Sequence, residues 1–301
     1  MNKDELKVIK QLDDGSLYAD RLLIEELFRY PDMRQPRLLL AYNKQGKPSG
    51  YLPIGHYYQA TDKGEISTYI AAMPNSPAIS ATYPPGAEHI LKTISSPYFD
   101  SDMIADFSFS QQHPTASITC LPFNRYSAFL SPSRQKDLRR KLKKAEKFTI
   151  QHGNLEDIRN AWQWMEGIWD ERDGRFGSTP YNEYLETTLS WLTVLEKSLR
   201  THLKIDKYML DGKMVGINCC AIHRYNNRNH CDDYLTWYNP LLASGLGIVS
   251  IINNIKNPAL AGFRYNLSNP GINGVIQAGH QYKWDVIPEP LRLTQSVISI
   301  R

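Results

Sequence analysis

The sequence predicts an α/β protein built as two tandem domains, residues 1–125 and 126–301, each a mixed, largely antiparallel sheet flanked by helices. Three observations lead there. Gly46-Lys-Pro-Ser-Gly50 and Gly212-Lys-Met-Val-Gly216 write the same pattern, Gly-Lys-x-x-Gly, about a domain's length apart. Each lies between strand-like runs, Arg37–Tyr42 and Tyr51–Tyr58 in the first half, Leu203–Leu210 and Ile217–Tyr225 in the second. Each therefore reads as a hairpin whose first glycine supplies the positive φ of a tight turn. The order of elements after the hairpin also repeats. Strand-like Glu65–Met73, a Pro-Pro-Gly break and helix-like Ala87–Ser96 in the first half match Cys231–Tyr238, Asn239-Pro240 and helix-like Ile248–Lys256 in the second.

Between the hairpins, apolar residues recur at helical spacing in three places. Leu138, Leu142, Ala145 and Phe148 fall on one face of the first stretch, and Ile158, Trp162, Met165 and Trp169 on one face of the second. Asn154 before Leu155-Glu156-Asp157 gives the second helix an N-cap and an acidic first turn. Leu185, Leu189, Leu192 and Leu199 mark a third. The polar, Gly-rich run Arg172–Thr179 reads as the connector between the last two.

A chain of 301 residues, 42% apolar and 11% aromatic, has material for one large core or two ordinary ones. Its first ten residues, MNKDELKVIK, carry no apolar signal core, and Leu241–Ile252 is too short and too rich in Gly and Ser to span a bilayer. Cys120, Cys219, Cys220 and Cys231 show no C-x-x-C spacing, so neither a metal site nor a disulfide framework is expected, and a reducing cytoplasm fits best. The net charge of +4 is local. Ser133–Phe148 holds eight Lys/Arg against Asp137 and Glu146, more than the excess of the whole chain. Three uses of this basic helix stand open: a solvated face, a contact for CoA phosphates or a tRNA backbone, and a membrane surface. The last is set back because the helix's apolar face ends in Ala145 and Phe148 rather than in a bulky wedge.

The segment Tyr234–Ser250 carries the strongest chemical signal. A strand ends at Asn239-Pro240, and Ser244-Gly-Leu-Gly247 then opens a helix, leaving backbone N–H groups at a positive dipole end where an anion is welcome. No G-K-[ST] and no G-x-G-x-x-G is present, so this is neither a Walker loop nor a dinucleotide fingerprint. In the first half the corresponding loop is Tyr83-Pro-Pro-Gly-Ala87, whose prolines have no N–H to offer. Donor binding is thus expected in the second domain alone.

Over residues 115–285 the succession resembles the FemAB-like (CelD-type) branch of the GNAT acyltransferase superfamily. The marks are the basic helix Ser133-Arg-Gln-Lys-Asp-Leu-Arg-Arg-Lys-Leu-Lys-Lys-Ala145, the hairpin Leu210–Gly216, the stretch Tyr238-Asn-Pro-Leu-Leu-Ala-Ser-Gly245, and Gly279-His-Gln-Tyr-Lys283 closing the final strands. The resemblance implies two tandem GNAT-like domains and transfer of an acyl group from acyl-CoA, or from an aminoacyl-tRNA, to an amine, amino-acid or peptide acceptor. It implies no metal. A donor carbonyl would be polarised by backbone N–H of the strand before the phosphate loop, at a splay between central strands, here Cys231–Tyr238. Tyr238, Ser244, Gly245, Leu246, Gly247 and Lys283 are then the donor contacts, with tRNA, if used, also meeting helix 133–148.

Simple alternation puts Asp232, Tyr234, Thr236 and Tyr238 on one face of that strand and Cys231, Asp233, Leu235 and Trp237 on the other. Two carboxylates in a central strand are costly to bury, so one is expected to face a cleft and orient or deprotonate the amine. Asp233 is preferred; the plain alternative is a structural Asp satisfied by nearby N–H groups or by Arg264. Tyr282 is a candidate proton donor to the leaving group and His280 a candidate base, with Asp232, Thr236, Asn266 and Asn269 on the acceptor side. A duplicated domain that binds a ligand or partner without catalysis is the rival reading. A monomer or a homodimer accords with either.

Overall fold

The computed structural model of the chain describes residues 3–13, 15, 17, 20–29, 33–61, 64–70, 113–114, 117–162, 181–225, 227–267, 271–272, 275–276, 281–291 and 294–295. Helices α1 (Lys3–Gln11) and α2 (Arg21–Arg29) precede an antiparallel meander of β1 (Met33–Tyr42), β2 (Pro48–Thr61) and β3 (Gly64–Ile70). The helix expected over 87–96 and the Tyr83–Ala87 loop lie outside the described residues. A short pair, β4 (His113–Pro114) with Thr294–Gln295, stands apart from the main sheet.

The larger sheet takes β5 (Ser117–Thr119), β6 (Thr149–His152), β7 (Thr201–Leu210), β8 (Lys213–Tyr225), β9 (Arg228–Tyr238) and β10 (Arg264–Asn266), in the spatial order β5-β10-β9-β8-β7-β6. Only β9 with β10 is parallel among these neighbours, so the sheet is mixed and largely antiparallel. Because β5 pairs with β10, residues from 117 onward already belong to this sheet, and a division at 125 would cut through α3 (Phe123–Ser127).

The doubled Gly-Lys-x-x-Gly sits at the first turn of each meander, in two different turns. Asp211 (φ 50°) and Gly212 (φ 75°) form a two-residue turn closed by Leu210 and Lys213, with the positive φ at both central positions that matches strand twist. The first-half loop is longer: Asn43 Oδ1 accepts the amides of Gln45 and Lys47, and Gly46 (φ 74°) makes the bend.

Helices cover both faces. α4 (Pro132–Ala145) starts at Ser131, whose side chain caps the Arg134 amide, and sends Leu138 inward. α5 (Leu155–Ala161) opens with the expected Asn154 cap, here a reciprocal capping box with Asp157. α6 (Tyr181–Lys197) buries Leu185, Leu189 and Leu192 but ends before Leu199, which stands in the following turn fully exposed instead of on the apolar face. Met165, Trp169 and the Arg172–Thr179 connector lie outside the described residues. α2, α5 and α6 pack with Ile217, Cys219, Leu235 and Trp237 on one face of the sheet. α3, α4, α7 (Leu246–Ile255) and α8 (Gln281–Val286) cover the other, around Cys220, Cys231 and Ile251. Gln281–Val286 is a helix, so Tyr282 and Lys283 ride on α8 and not on a closing strand.

The last glycine of the second motif has a packing role. A Cβ at Gly216 would overlap Leu246 Cδ2 and stand 3.3 Å from Tyr238 Cβ, so β8 can carry no side chain where α7 lands. Gly216→Ala is expected to destabilise by about 1–3 kcal/mol through overpacking, read as a lower urea midpoint. Adding Leu246→Ala should give a double variant less destabilised than the sum of the singles; an unchanged midpoint in Gly216→Ala would contradict this contact.

Candidate functional site

The mouth of α7 is built by its preceding loop. Asn239 ties the loop to β8 by donating its amide to Val215 O (2.9 Å), and its Oδ1 accepts the amides of Leu241 and Leu242. Ala243 N–H returns to Asn239 O, Leu246 N–H to Ala243 O, and Ile248 N–H to Gly245 O. Gly245 (φ 85°) caps the helix without a side chain, which only glycine does there without strain. Among the described residues, no acceptor meets the amides of Ser244, Gly245 or Gly247, three donors at the positive end of the helix. Gly247 lies between two tyrosines: a Cβ there would be 3.6 Å from the Tyr238 ring and 3.6 Å from the Tyr282 hydroxyl.

Below this mouth β9 breaks its own alternation. In the ladder with β8, Cys220 pairs with Asp233 and Cys219 with Leu235, so Tyr234 is an extra residue, a β-bulge. Asp233 therefore shares the α7 face with Thr236 and Tyr238, while Leu235 and Trp237 go to the opposite core. The alternation expected from sequence is corrected here. Asn218 of β8 donates Nδ2 to Asp233 Oδ1 (2.8 Å) and to Thr236 Oγ1 (2.9 Å), the same side chain reaching both across the bulge. Its own Oδ1 accepts from Asn254 of α7 (3.0 Å), and Asn254 Oδ1 accepts from Lys204 Nζ (2.8 Å), which also pairs with Asp206. A polar chain thus runs from β7 under α7 to Asp233.

Asp233 is fully buried, and burial pushes its carboxyl above the ordinary carboxylate range against the charge of Lys283 and the hydrogen bonds of Asn218 and Tyr265. Burial lowers Lys283, with Asp233 opposing. Tyr282 is raised by burial and then by the negative charges of Asp233 and Tyr238. Asp233 thus interacts electrostatically with Lys283 and Tyr282, and Tyr282 with Tyr238, on the α7 side of the sheet. β10 pairs with β9 only as far as Asn266 opposite Asp232; from Asp233 to Tyr238 no described strand pairs with that side of β9.

Asp232 points the other way. Its Oδ2 lies 2.8 Å from His223 Nε2, its Oδ1 accepts from Asn266 Nδ2, and Asn266 also meets His230 Nδ1 at 3.3 Å. The two imidazoles stack at 5.3 Å. Burial raises Asp232, but the charge and hydrogen bond of His223 outweigh it and hold the carboxyl below its usual range. The donor atoms of His223, His230 and Asp232 lie within 4.8 Å of one another, a composition able to ligate a metal ion, and here hydrogen bonds run from His223 through Asp232 and Asn266 to His230, with the two imidazoles stacked.

The geometry divides the sequence-derived residues. Asp233, Thr236 and Tyr238 share the α7 face of the sheet, Gly247 lies against Tyr238 and Tyr282, and Tyr282 and Lys283 of α8 feel the charge of Asp233, with Ser244 exposed and Leu246 buried at the start of α7. Asp232 and Asn266, read as acceptor contacts, sit in the buried cluster on the opposite face. His280 and Asn269 lie outside the described residues. Arg264 neighbours Asp232, so Asn218 and Tyr265, not Arg264, are what Asp233 has beside it. Asn218, Asn254 and Tyr265 do not stand out in the sequence; the visible signal is Asn218 inside the apolar run Val215–Ala221 and the pair Asn253-Asn254 inside Leu246–Ile255.

No protein-family model matches the chain, and no curated protein matches it in sequence. Solved structures that align over nearly its full length include two at a TM-score of 0.52. A conserved protein of unknown function from Bacteroides thetaiotaomicron VPI-5482 shares 11% identity at a TM-score of 0.52, over 98% of this chain and 96% of that one. FemX shares 9% identity at a TM-score of 0.52, over 99% of this chain and 95% of that one. At such identities the likeness is one of fold: this is an α/β chain, with a mixed six-stranded sheet between helices, similar in architecture to FemX.

A carboxyl with a raised folded-state pKa favours folding fully below its unfolded value, near 3.8, and loses that contribution as pH rises through the folded value. Asp233→Asn, which keeps the shape and removes the titration, is therefore expected to gain stability relative to the parent as pH climbs out of the carboxylate range. Paired denaturation midpoints across pH check this; a difference independent of pH would mean that Asp233 is not raised.

Proposed function

We propose that the chain is an N-acyltransferase that moves an acyl group from acyl-CoA to the amine of a small molecule, amino acid or peptide. The observation that carries this reading is the bulge at Tyr234, which sets Asp233 with Thr236 and Tyr238 on the α7 face, where its carboxyl interacts with Lys283 and Tyr282. The architecture shared with FemX and the FemAB-like sequence resemblance support it.

In this reading the diphosphate of CoA lies on the amides of Ser244, Gly245 and Gly247, with Lys283 beside it. The thioester carbonyl meets a backbone N–H of β9 between Asp233 and Tyr238, where charge develops on oxygen. Asp233, raised above an ordinary carboxyl, is a stronger base for the amine proton than an exposed Asp. The amine nitrogen bonds to the carbonyl carbon, the C–S bond breaks, and the thiolate takes the Tyr282 proton. An amide and free CoA leave. Thr236 and Tyr238 line the acceptor and donor sides of the same face.

Release of free thiol from a panel of acyl-CoAs in the presence of amines, amino acids and peptides tests the assignment. The rate should rise with pH through a group titrating above the ordinary carboxylate range. Asp233→Asn should lower kcat by roughly 10²–10⁴ and abolish that limb, with Tyr282→Phe lowering kcat while donor affinity is kept. Consumption of an aminoacyl-tRNA ester with no thiol release from any acyl-CoA would move the donor to tRNA; consumption of neither, with tight binding of another molecule, would make the protein a binder.

A further inference from the structure

We propose that α4 and the leucine pair ahead of α7 form one docking surface for an anionic lipid bilayer, a property independent of the acyl-transfer reading. Lys136, Arg140, Lys143 and Lys144 stand at i, i+4, i+7 and i+8 along α4, with Lys147 just beyond its end, so their side chains share one exposed stripe while Leu138 and Leu142 pack inward. Asp137 pairs with Arg140 and Lys141 and leaves most of the segment's positive charge uncompensated within the helix.

The second half of the surface comes from a different part of the chain. Lys147 Nζ donates to Leu242 O at 3.3 Å, so the C-terminal end of the basic segment meets the loop before α7. There Leu241 is 92% exposed and Leu242 47% exposed, although Asn239 Oδ1 holds both of their amides. Two large apolar side chains held outward on an anchored turn, next to a cationic helix, match the two components of peripheral membrane binding: attraction to anionic headgroups and insertion of an apolar wedge. The helix by itself lacks that wedge, ending in Ala145 and Phe148, which pack inward beside Ala243 and Leu246. The neighbouring loop supplies it. A nucleic-acid backbone would use the cations equally well but offers nothing to the leucines. Among the described residues no helix is long and apolar enough to cross a membrane, so the contact is with the surface.

Co-sedimentation of the full chain with vesicles of phosphatidylcholine alone, and of phosphatidylcholine enriched in phosphatidylglycerol, tests this at physiological ionic strength. The protein should partition onto the anionic vesicles and not the neutral ones. Lys136→Ser, Lys143→Ser and Lys144→Ser should weaken partition by roughly fivefold each. Leu241→Ser with Leu242→Ser should weaken it by roughly tenfold or more, at an unchanged melting temperature because both side chains are exposed. Failure to bind anionic vesicles overturns the proposal, as does a leucine variant that partitions like the parent. Tight binding of bulk tRNA that ignores the leucine changes, without vesicle binding, reassigns the surface to RNA.

Discussion

At Tyr234 the antiparallel ladder between β8 and β9 skips one residue, and the side of the sheet on which Asp233 stands relative to Leu235 and Trp237 depends on that skip. In an unbroken strand Asp233 would point with Leu235 and Trp237 into the core under α6, a place with no compensation for a carboxyl. The bulge turns Leu235 and Trp237 to that core while Asp233 stays with Thr236 and Tyr238 on the face of α7. A carboxyl so placed is still buried. What makes it tolerable is Asn218, which bridges the two sides of the bulge, and Asn254, which ties Asn218 to the helix above. The same contacts that satisfy Asp233 fix its direction.

The position of α7 is set by an independent constraint. Gly216 leaves a gap in β8 that Leu246 enters, and this seats the first turn of the helix directly on the sheet. Gly245 then lets the chain turn into the helix at positive φ, and Gly247 lies against the rings of Tyr238 and Tyr282. Gly216 and Gly245, for two different steric reasons, set the mouth of α7 on the face of the sheet that carries Asp233. On the reverse face of β9, Asp232 joins His223, His230 and Asn266 in a buried cluster, so adjacent carboxylates in one strand live in opposite environments, one raised and one lowered.

Much of this architecture is legible in the residues. The strand pattern of 203–238, the Asn154 cap and the glycine-opened helix all obey local rules, and the structure places them within a few residues of expectation. The bulge is not legible, because Cys231–Tyr238 contains no Gly or other marker and the skip is settled by packing on both faces at once. For the same reason the residue pattern groups Asp232 and Asn266 with the cleft. Tyr282 and Lys283 stand out as candidates although their segment reads as strand, since a six-residue helix carries little periodic signal. Leu199 shows the reverse error: its spacing fits the stripe of α6, but the helix has already ended. The meander and its turn glycine recur in both halves, and any match between the later elements of the first half and those of the second involves residues outside those described.

The central claim is that the unmet amides at the mouth of α7 receive the phosphates of an activated acyl donor. Titrating the isotope-labelled protein with CoA while following its backbone amide resonances tests this most directly. The account predicts saturable shifts at Ser244, Gly245 and Gly247, with Tyr282 and Lys283 responding alongside. CoA binding that leaves those three amides unmoved, or no binding at all, would contradict it.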